Sequence, residues 1–144
     1  MTVNVAPSRP YRGPDKQHAT EKERWLDVSF QVDRQIAEIE RRDYVGDSFP
    51  CFFANVGPGI TASLFGAKID YLNDRTGWSE PVGNSPQQWQ QIIESIADFD
   101  NDYWQAMWCM TAMAIEACND RYVVVLQADR RRGLRLVHMV SDLS

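Results

Sequence analysis

Two long stretches of the chain carry apolar residues at every third or fourth position, which is the spacing of one face of an α-helix. The first stretch covers residues 20–43 and begins with Thr20 and Glu23 at the spacing of a capping box. The second stretch covers residues 103–118. A shorter helix is predicted to begin at Ser85, because serine is a favourable N-cap and the proline that follows it fits the first helical turn.

Three short apolar runs bounded by turn-forming residues predict β-strands. They span residues 49–54, 68–73 and 122–128. The third run is β-branched and nearly all apolar, which predicts a strand that is buried on both faces. A helical connection separates each pair of runs, including a short helix at 60–65. The pattern therefore predicts an α/β fold in which the three strands are parallel neighbours.

Length and composition are those of one domain: 144 residues, of which 44% are hydrophobic. No run approaches the roughly 18 apolar residues that a membrane span needs, and the N-terminus lacks the pattern of a signal peptide. Three cysteines without a CxxC spacing indicate neither a disulfide framework nor a structural zinc site. We therefore expect a cytoplasmic protein with no membrane partner and no bound metal.

The charge of the chain argues against a nucleic-acid partner, since the net charge is −5 and the pI is about 4.9. The charge is also unevenly distributed. Residues 1–120 carry 10 basic and 18 acidic side chains, whereas residues 121–144 carry five arginines and two aspartates. The densest basic run, at residues 130–132, is interpreted as a solvated turn, because interleaved aromatic residues are absent.

A polar side chain lies just past each predicted strand. These residues are Asn55, Asp74 and Asp129. The carboxyl ends of parallel strands meet at one edge of a sheet, where α/β folds bind their substrates, so the three side chains are predicted to share a pocket. Asn and Asp also form and cap turns by default, and that role is the alternative for each of them.

Gly57 and Gly59 flank Pro58 directly after the first predicted strand. The segment is not a phosphate loop, because Ala62 stands where a further glycine is needed and no Lys-Ser/Thr pair follows. The two glycines are instead expected to form a sharp strand-to-helix turn. The free amides at the start of the following helix are the groups there that could bind an anion.

Residues 44–129 resemble the amino-terminal part of the uroporphyrinogen decarboxylase superfamily, in particular its broad bacterial branch. The resemblance rests on segments whose order and spacing agree with the family: Phe49-Pro50-Cys51-Phe52-Phe53, Asn55-Val56-Gly57-Pro58-Gly59, Leu64-Phe65-Gly66-Ala67, Asp74-Arg75-Thr76-Gly77-Trp78 with Pro81, and Tyr122 to Asp129. The family implies a (β/α)8 TIM barrel. Its members decarboxylate porphyrinogen acetate groups without a cofactor, or transfer methyl groups between corrinoids and thiols using zinc.

The resemblance also implies roles for the candidate residues. Asp74 is similar to the family's acidic residue after the second strand, which in the decarboxylases faces the pyrrole nitrogens of the substrate. Asn55 stands where the decarboxylases have an Arg-Gln-Ala-Gly-Arg motif that binds substrate carboxylates, and the absence of that motif argues against a porphyrinogen substrate. Asp129 resembles an aspartate specific to the bacterial branch. We expect Asp74 to be catalytic, Asn55, Gly57, Gly59 and Asp129 to bind substrate, and no cofactor to be needed.

The family pattern ends near Asp129, which suggests three parts: an irregular arm at 1–19, the amino-terminal part of a barrel at 20–129 and an atypical basic tail at 130–144. The chain would then be a truncated uroporphyrinogen decarboxylase-like protein that is inactive alone and takes a small-molecule substrate only if completed. One alternative is a stand-alone α/β module that binds a small molecule or a partner without catalysis. Another is a structural protein that forms homo-oligomers through open sheet edges.

Overall fold

The structure is a computed structural model that describes residues 7–57, 59–73, 76–94 and 99–126. Its elements, in chain order, are α1 (Glu21–Leu26), α2 (Val28–Glu40), β1 (Cys51–Ala54), α3 (Ile60–Ser63), β2 (Ile69–Tyr71), β3 (Gly77–Ser79), α4 (Pro86–Glu94), α5 (Asp102–Cys118) and β4 (Val123–Leu126). This mixture of helices and strands is compatible with the α/β class. The described strands form two sheets of two strands each, and they do not form a barrel. Among the described helices, none is long and apolar enough to cross a membrane.

Asp27 divides the first predicted helix into α1 and α2. It is the C-cap residue of α1 and also the N-cap residue of α2, where its carboxylate accepts a hydrogen bond from the amide N–H of Phe30 at 3.1 Å. The same carboxylate accepts hydrogen bonds from the Lys16 ammonium and the His18 ring. A short polar side chain that bonds nearby amides competes with a continuous helix. The apolar periodicity therefore continues across Asp27 although the backbone helix does not.

The carboxylate of Asp27 is also predicted to make folding dependent on pH. Burial acts to raise its pKa, but hydrogen bonds from Lys16 and His18 outweigh burial and hold the pKa well below its ordinary value. Such a group stabilises the fold above its unfolded-state pKa of about 4, and the stabilisation is lost as the pH falls further. We expect Asp27→Asn to lower the free energy of unfolding by about 1 kcal/mol at neutral pH, because Asn keeps the cap but loses the charge.

Urea denaturation of the wild type and the variant at several pH values checks this expectation. The difference between the two proteins should shrink as the pH falls from about 5 to about 3. Asp33→Asn, at an exposed position of the same helix, is the control and should change stability by less than about 0.5 kcal/mol. A difference for Asp27→Asn that stays constant over this pH range would contradict the role given to the charge.

Residues 7–19 form an irregular segment that runs beside α2 from one end of that helix to the other. At the carboxyl end of α2, the Arg9 guanidinium donates to the carbonyl of Glu40 at 2.8 Å and to the carboxylate of Asp43 at 2.7 Å. At the amino end, the segment contacts Asp27 as described above. The Arg9 contact satisfies a carbonyl that a helix end leaves without an intrahelical partner, so the segment supports both ends of α2.

β1 and β4 are parallel neighbours, with Cys51 beside Val123 and Ala54 beside Leu126. The prediction that these two segments form adjacent parallel strands is confirmed. Helices α2 and α5 pack against one face of the pair. The buried core at this face consists of Val32, Phe52, Ala54, Val56, Ile60, Met107, Met110, Ala114 and Tyr122. Because α5 precedes β4 and covers the β1–β4 pair, the chain contains a strand–helix–strand unit.

The other face of the β1–β4 pair, here called the open face, is formed by Cys51, Phe53, Val123 and Val125. Phe53 is 40% exposed, Val123 is 51% exposed and Val125 is 37% exposed, and Cys51 is exposed as well. The prediction of a last strand buried on both faces is therefore wrong for the described part of the chain, because helices cover only one face. Parallel sheets usually have both faces covered, so an apolar open face is unusual.

β2 does not join this sheet, and the prediction of a third parallel neighbour is wrong for it. It pairs antiparallel with β3, a strand that the sequence pattern did not predict. The connection between them is short: the amides of Leu72 and Asn73 donate to the Thr76 carbonyl, and the Asn73 side chain accepts the Thr76 amide at 2.9 Å. A connection this short permits a hairpin but not the crossover that parallel strands require.

Candidate functional site

The turn at the carboxyl end of β1 contains three of the residues predicted to bind substrate: Asn55, Gly57 and Gly59. Asn55 follows the last residue of β1, and its Oδ1 accepts the amide N–H of Gly57 at 2.8 Å. The side chain therefore does form a turn, which was the alternative role. Its Nδ2 group has no acceptor among the described residues. Two N–H donors are thus available for a carboxylate or carbonyl oxygen of a ligand.

The two glycines of this turn are required by the backbone. Gly57 has φ +107° and Gly59 has φ +86°, a region that side chains with a Cβ rarely adopt. A Cβ on Gly57 would also lie 2.6 Å from Cε1 of Tyr71. Gly59 is the N-cap of α3, which has only four residues and so contributes little dipole to an anion site. The glycines shape the turn, and the Asn55 carboxamide is the polar side-chain group that it carries.

Residues from α1 and the β2–β3 hairpin hold this turn in place. The Tyr71 hydroxyl donates to the Val56 carbonyl at 2.8 Å, and its ring stacks on Trp25 at a centroid distance of 5.9 Å. Trp25 donates in turn from Nε1 to the Asn73 carbonyl at 3.3 Å. Burial, together with the nearby Tyr103, raises the pKa of Tyr71, so its hydroxyl remains a hydrogen-bond donor at neutral pH.

Sequence reasoning missed the contribution of Trp25 and Tyr71 to this site. It assigned Trp25 to the apolar face of a helix and Tyr71 to a strand, which is correct for the elements but says nothing about the turn. The two residues contact it across sequence separations that no local pattern reports, since Trp25 and Asn73 are 48 positions apart. The glycine at position 57 was the one available signal, because a residue without a Cβ lets another side chain pack closely against the backbone.

Asp74 and Asp129, the other two predicted site residues, lie outside the described residues, as does the basic tail at 130–144. The described residues nearest to Asp74 and Asp129 in the sequence are Asn73 and Leu126, and both have defined contacts. Asn73, directly before Asp74, is bound through its carbonyl by Trp25. The register of β1 and β4 pairs Ala54 with Leu126, so the chain leaves β4 at the same sheet edge as Asn55. A pocket shared by all three side chains stays a prediction.

A second polar cluster lies between the irregular segment and α1, in an open cleft of about 610 Å³ lined in part by Lys16, His18, Glu23 and Asp27. The His18 side chain is 6% exposed, and its Nε2 lies 3.0 Å from Oδ2 of Asp27. Its Nδ1 is buried without a hydrogen-bond partner in the described structure. In the ranges that the structure describes, no three His, Cys, Asp or Glu side chains are grouped so as to hold a metal ion.

No protein-family model, curated protein or solved structure matches this chain. Any function assigned to it therefore rests on the residues and contacts given above.

Proposed function

We propose that this chain forms the amino-terminal part of a (β/α)8 barrel of the uroporphyrinogen decarboxylase-like kind. The observation that carries the proposal is the parallel β1–β4 pair, which has helices on one face and an apolar open face on the other. Strands of such a barrel are covered by helices outside and packed against other strands' side chains inside, where branched apolar residues predominate. In the completed barrel the open face becomes the interior.

The position of Asn55 supports the same proposal. TIM-barrel enzymes build their active sites from residues at the carboxyl ends of the strands. Asn55 lies at the carboxyl end of β1, and the register brings the end of β4 to the same edge. In this arrangement β1 and β4 are consecutive barrel strands, α5 is the crossover helix, and the β2–β3 hairpin is an insertion between them. The described residues thus supply two barrel strands where the sequence pattern predicted three.

In the proposed site Asp74, which follows β2 of the hairpin along the chain, is the catalytic carboxylate that the family resemblance implies. Decarboxylation breaks the bond between a side-chain carbon of the substrate and its carboxylate, releases CO2 and places a proton on that carbon. The intermediate carries a positive charge on a protonated heterocycle, and a carboxylate beside it lowers the energy of that state. Asn55 and Asp129 bind the substrate and Gly57 and Gly59 shape the pocket. This reaction needs no cofactor, whereas methyl transfer would require zinc ligands from outside these residues.

Asn55 also bears on the class of substrate. An uncharged carboxamide replaces the arginines that bind the carboxylates of a porphyrinogen, so this turn can hold one carboxylate or carbonyl through hydrogen bonds but cannot neutralise several charges. We therefore propose a small-molecule substrate with fewer carboxylates than a porphyrinogen. The isolated chain should turn over no substrate of either reaction class, because a barrel active site needs groups from several further strands.

A stand-alone binding module is the second candidate function. It is favoured by the continuous core of the described residues, which includes the fully buried Phe52 and Met110, and by the cleft beside His18. In this case the open face is either left exposed or covered by further copies of the chain. The two candidates differ in one measurable property: only the barrel proposal requires the open face to become interior.

The barrel proposal is tested by replacing the matching part of a complete uroporphyrinogen decarboxylase-like enzyme with residues 20–129, which include the helices that pack on β1. We expect this chimaera to fold and to retain measurable turnover of the enzyme's own substrate. Phe53→Ser should change the stability of the isolated chain by less than about 1 kcal/mol, because Phe53 is partly exposed there. In the chimaera the same change should lower stability by about 3 kcal/mol or more, because it buries a hydroxyl and leaves a cavity.

Leu72→Ser is the matched control, since Leu72 is 66% exposed and lies in the hairpin rather than on the open face. It should have a small effect in both proteins. Equal and small effects of Phe53→Ser in both proteins, measured by urea denaturation, would contradict the barrel interior and favour the module. Turnover by the isolated chain above a boiled control would contradict the need for completion.

A further inference from the structure

Tyr71 makes two contacts with the turn after β1 and a third with Trp25 of α1. Its hydroxyl donates to the carbonyl of Val56, the residue between Asn55 and Gly57, at 2.8 Å. The edge of its ring lies against Gly57, where a Cβ would be only 2.6 Å from Cε1 of Tyr71. Its face stacks on Trp25. The ring and hydroxyl of one residue thus limit the movement of this turn in two directions.

Among the described residues, Tyr71 is the donor to the Val56 carbonyl. The described β1–β4 ladder ends at Ala54, so no described strand bonds that carbonyl. Val56 is 1% exposed, which leaves little room for water to replace the phenolic donor. The Gly57 amide N–H belongs to the same planar peptide group as the Val56 carbonyl, and it donates to Oδ1 of Asn55 at 2.8 Å. Moving the Val56 carbonyl therefore disturbs the hydrogen bond that orients the Asn55 carboxamide.

Trp25 extends the same support to the hairpin. It is 6% exposed, and its ring is fixed between the Tyr71 ring and the Asn73 carbonyl, to which Nε1 donates. The residue after Asn73 is Asp74, the proposed catalytic carboxylate. One aromatic pair thus contacts the turn that bears Asn55 and the backbone directly before Asp74.

We infer that Tyr71 is a positioning residue, which fixes the turn at residues 55–57 and the direction of the Asn55 carboxamide through its hydroxyl and ring. The inference rests on the proposed function only for the kind of ligand that this turn binds. The positioning itself follows from the contacts and is measurable in the chain without any substrate. Tyr71 is not catalytic in this scheme, because it acts on a ligand only through Asn55.

The test is amide hydrogen exchange, followed residue by residue by NMR in the full 144-residue chain. Tyr71→Phe keeps the ring and removes the donor to Val56. We expect exchange of the Gly57 amide to become at least about tenfold faster, relative to the core amide of Met110 in the same sample. This ratio separates local opening of the turn from global loss of stability, which would accelerate both amides together.

Tyr122→Phe is the matched control. Tyr122 is also buried, at 6% exposed, and its hydroxyl also donates to a backbone carbonyl, that of Ala114, at 2.9 Å. It should leave the ratio of Gly57 to Met110 exchange unchanged. An unchanged ratio in Tyr71→Phe, or an equal rise in Tyr122→Phe, would overturn the inference.

The wild type provides a measurement that does not depend on any variant folding. Its Gly57 amide should exchange at least about tenfold more slowly than in an unstructured peptide, and exchange at the peptide rate would overturn the inference directly. The outcome is also separable from that of the proposed function. Fast exchange in Tyr71→Phe together with an inactive chimaera would support the positioning role and contradict the barrel enzyme. Unchanged exchange together with an active chimaera would contradict the positioning role and support the barrel enzyme.

Discussion

Phe52→Ala is expected to lower the free energy of unfolding by about 3 to 5 kcal/mol, the usual loss for a large aromatic removed from a well-packed core. Phe52 is completely buried, and its ring packs against Tyr122 at a centroid distance of 5.9 Å. Helices α2 and α5 cover the same face of β1, so the cavity cannot be filled without moving a helix. Natural domains are stable by only about 5 to 15 kcal/mol, so this loss is a large share of the stability of the fold.

Phe53→Ala is the control for this change, because it removes the same side chain from the next position of the same strand. Phe53 belongs to the open face and is 40% exposed. Its loss should cost less than about 1 kcal/mol, and it should make the chain less prone to associate, because an exposed aromatic is removed. Urea denaturation gives both stabilities, and light scattering gives the association. Similar losses for the two variants would show that the open face is covered in solution.

Asp74→Asn is expected to lower kcat/KM of the chimaera about 100-fold or more, the usual loss when a catalytic carboxylate is replaced. Asn keeps the size and the turn-forming ability of Asp, so the change removes the charge alone. The proposed role requires that charge, because it stabilises a positive charge which forms on the substrate during the reaction. Steady-state kinetics on the substrate of the parent enzyme measures the loss.

Asp70→Asn is the control in the same hairpin. Asp70 lies on β2, its side chain is 46% exposed, and it pairs with Lys68 at 3.1 Å, so it is an ordinary surface carboxylate. It should leave kcat/KM within about twofold of the unsubstituted chimaera. An unchanged rate in Asp74→Asn, accompanied by a lower melting temperature, would show that Asp74 only forms a turn and that the chemistry lies elsewhere.

Elements that depend on neighbouring residues were predictable from the sequence. The predicted N-cap at Thr20 is present, with Oγ1 accepting the Glu23 amide at 3.1 Å, although Glu23 itself reaches the Ala19 amide. The predicted helix at 103–118 is observed as α5, and Ser85 accepts the Gln88 amide at 3.3 Å as the start of α4. Side-chain caps and helical periodicity act within about four residues, so a linear pattern contains them.

The candidate site was predictable in part for the same reason. The sequence placed Asn55 and the two glycines in a turn after a strand, and the Asn55 to Gly57 hydrogen bond is local. The sequence could not identify Tyr71 as the residue that holds this turn, because their contact depends on the hairpin folding back over β1. Nor could it show that β2 pairs with β3, since a three-residue strand carries too little pattern to choose a partner.

The sequence by itself determined that β1 is a short apolar strand, but only the tertiary structure decided which of its faces is covered. Cys51, Phe52, Phe53 and Ala54 are all apolar, so no alternation marks an inner and an outer side. Helices α2 and α5 select Phe52 and Ala54 by packing on one face and leave Phe53 on the other. That choice is made by contacts between segments distant in the chain, because burial depends on what lies opposite a side chain and not on the side chain alone.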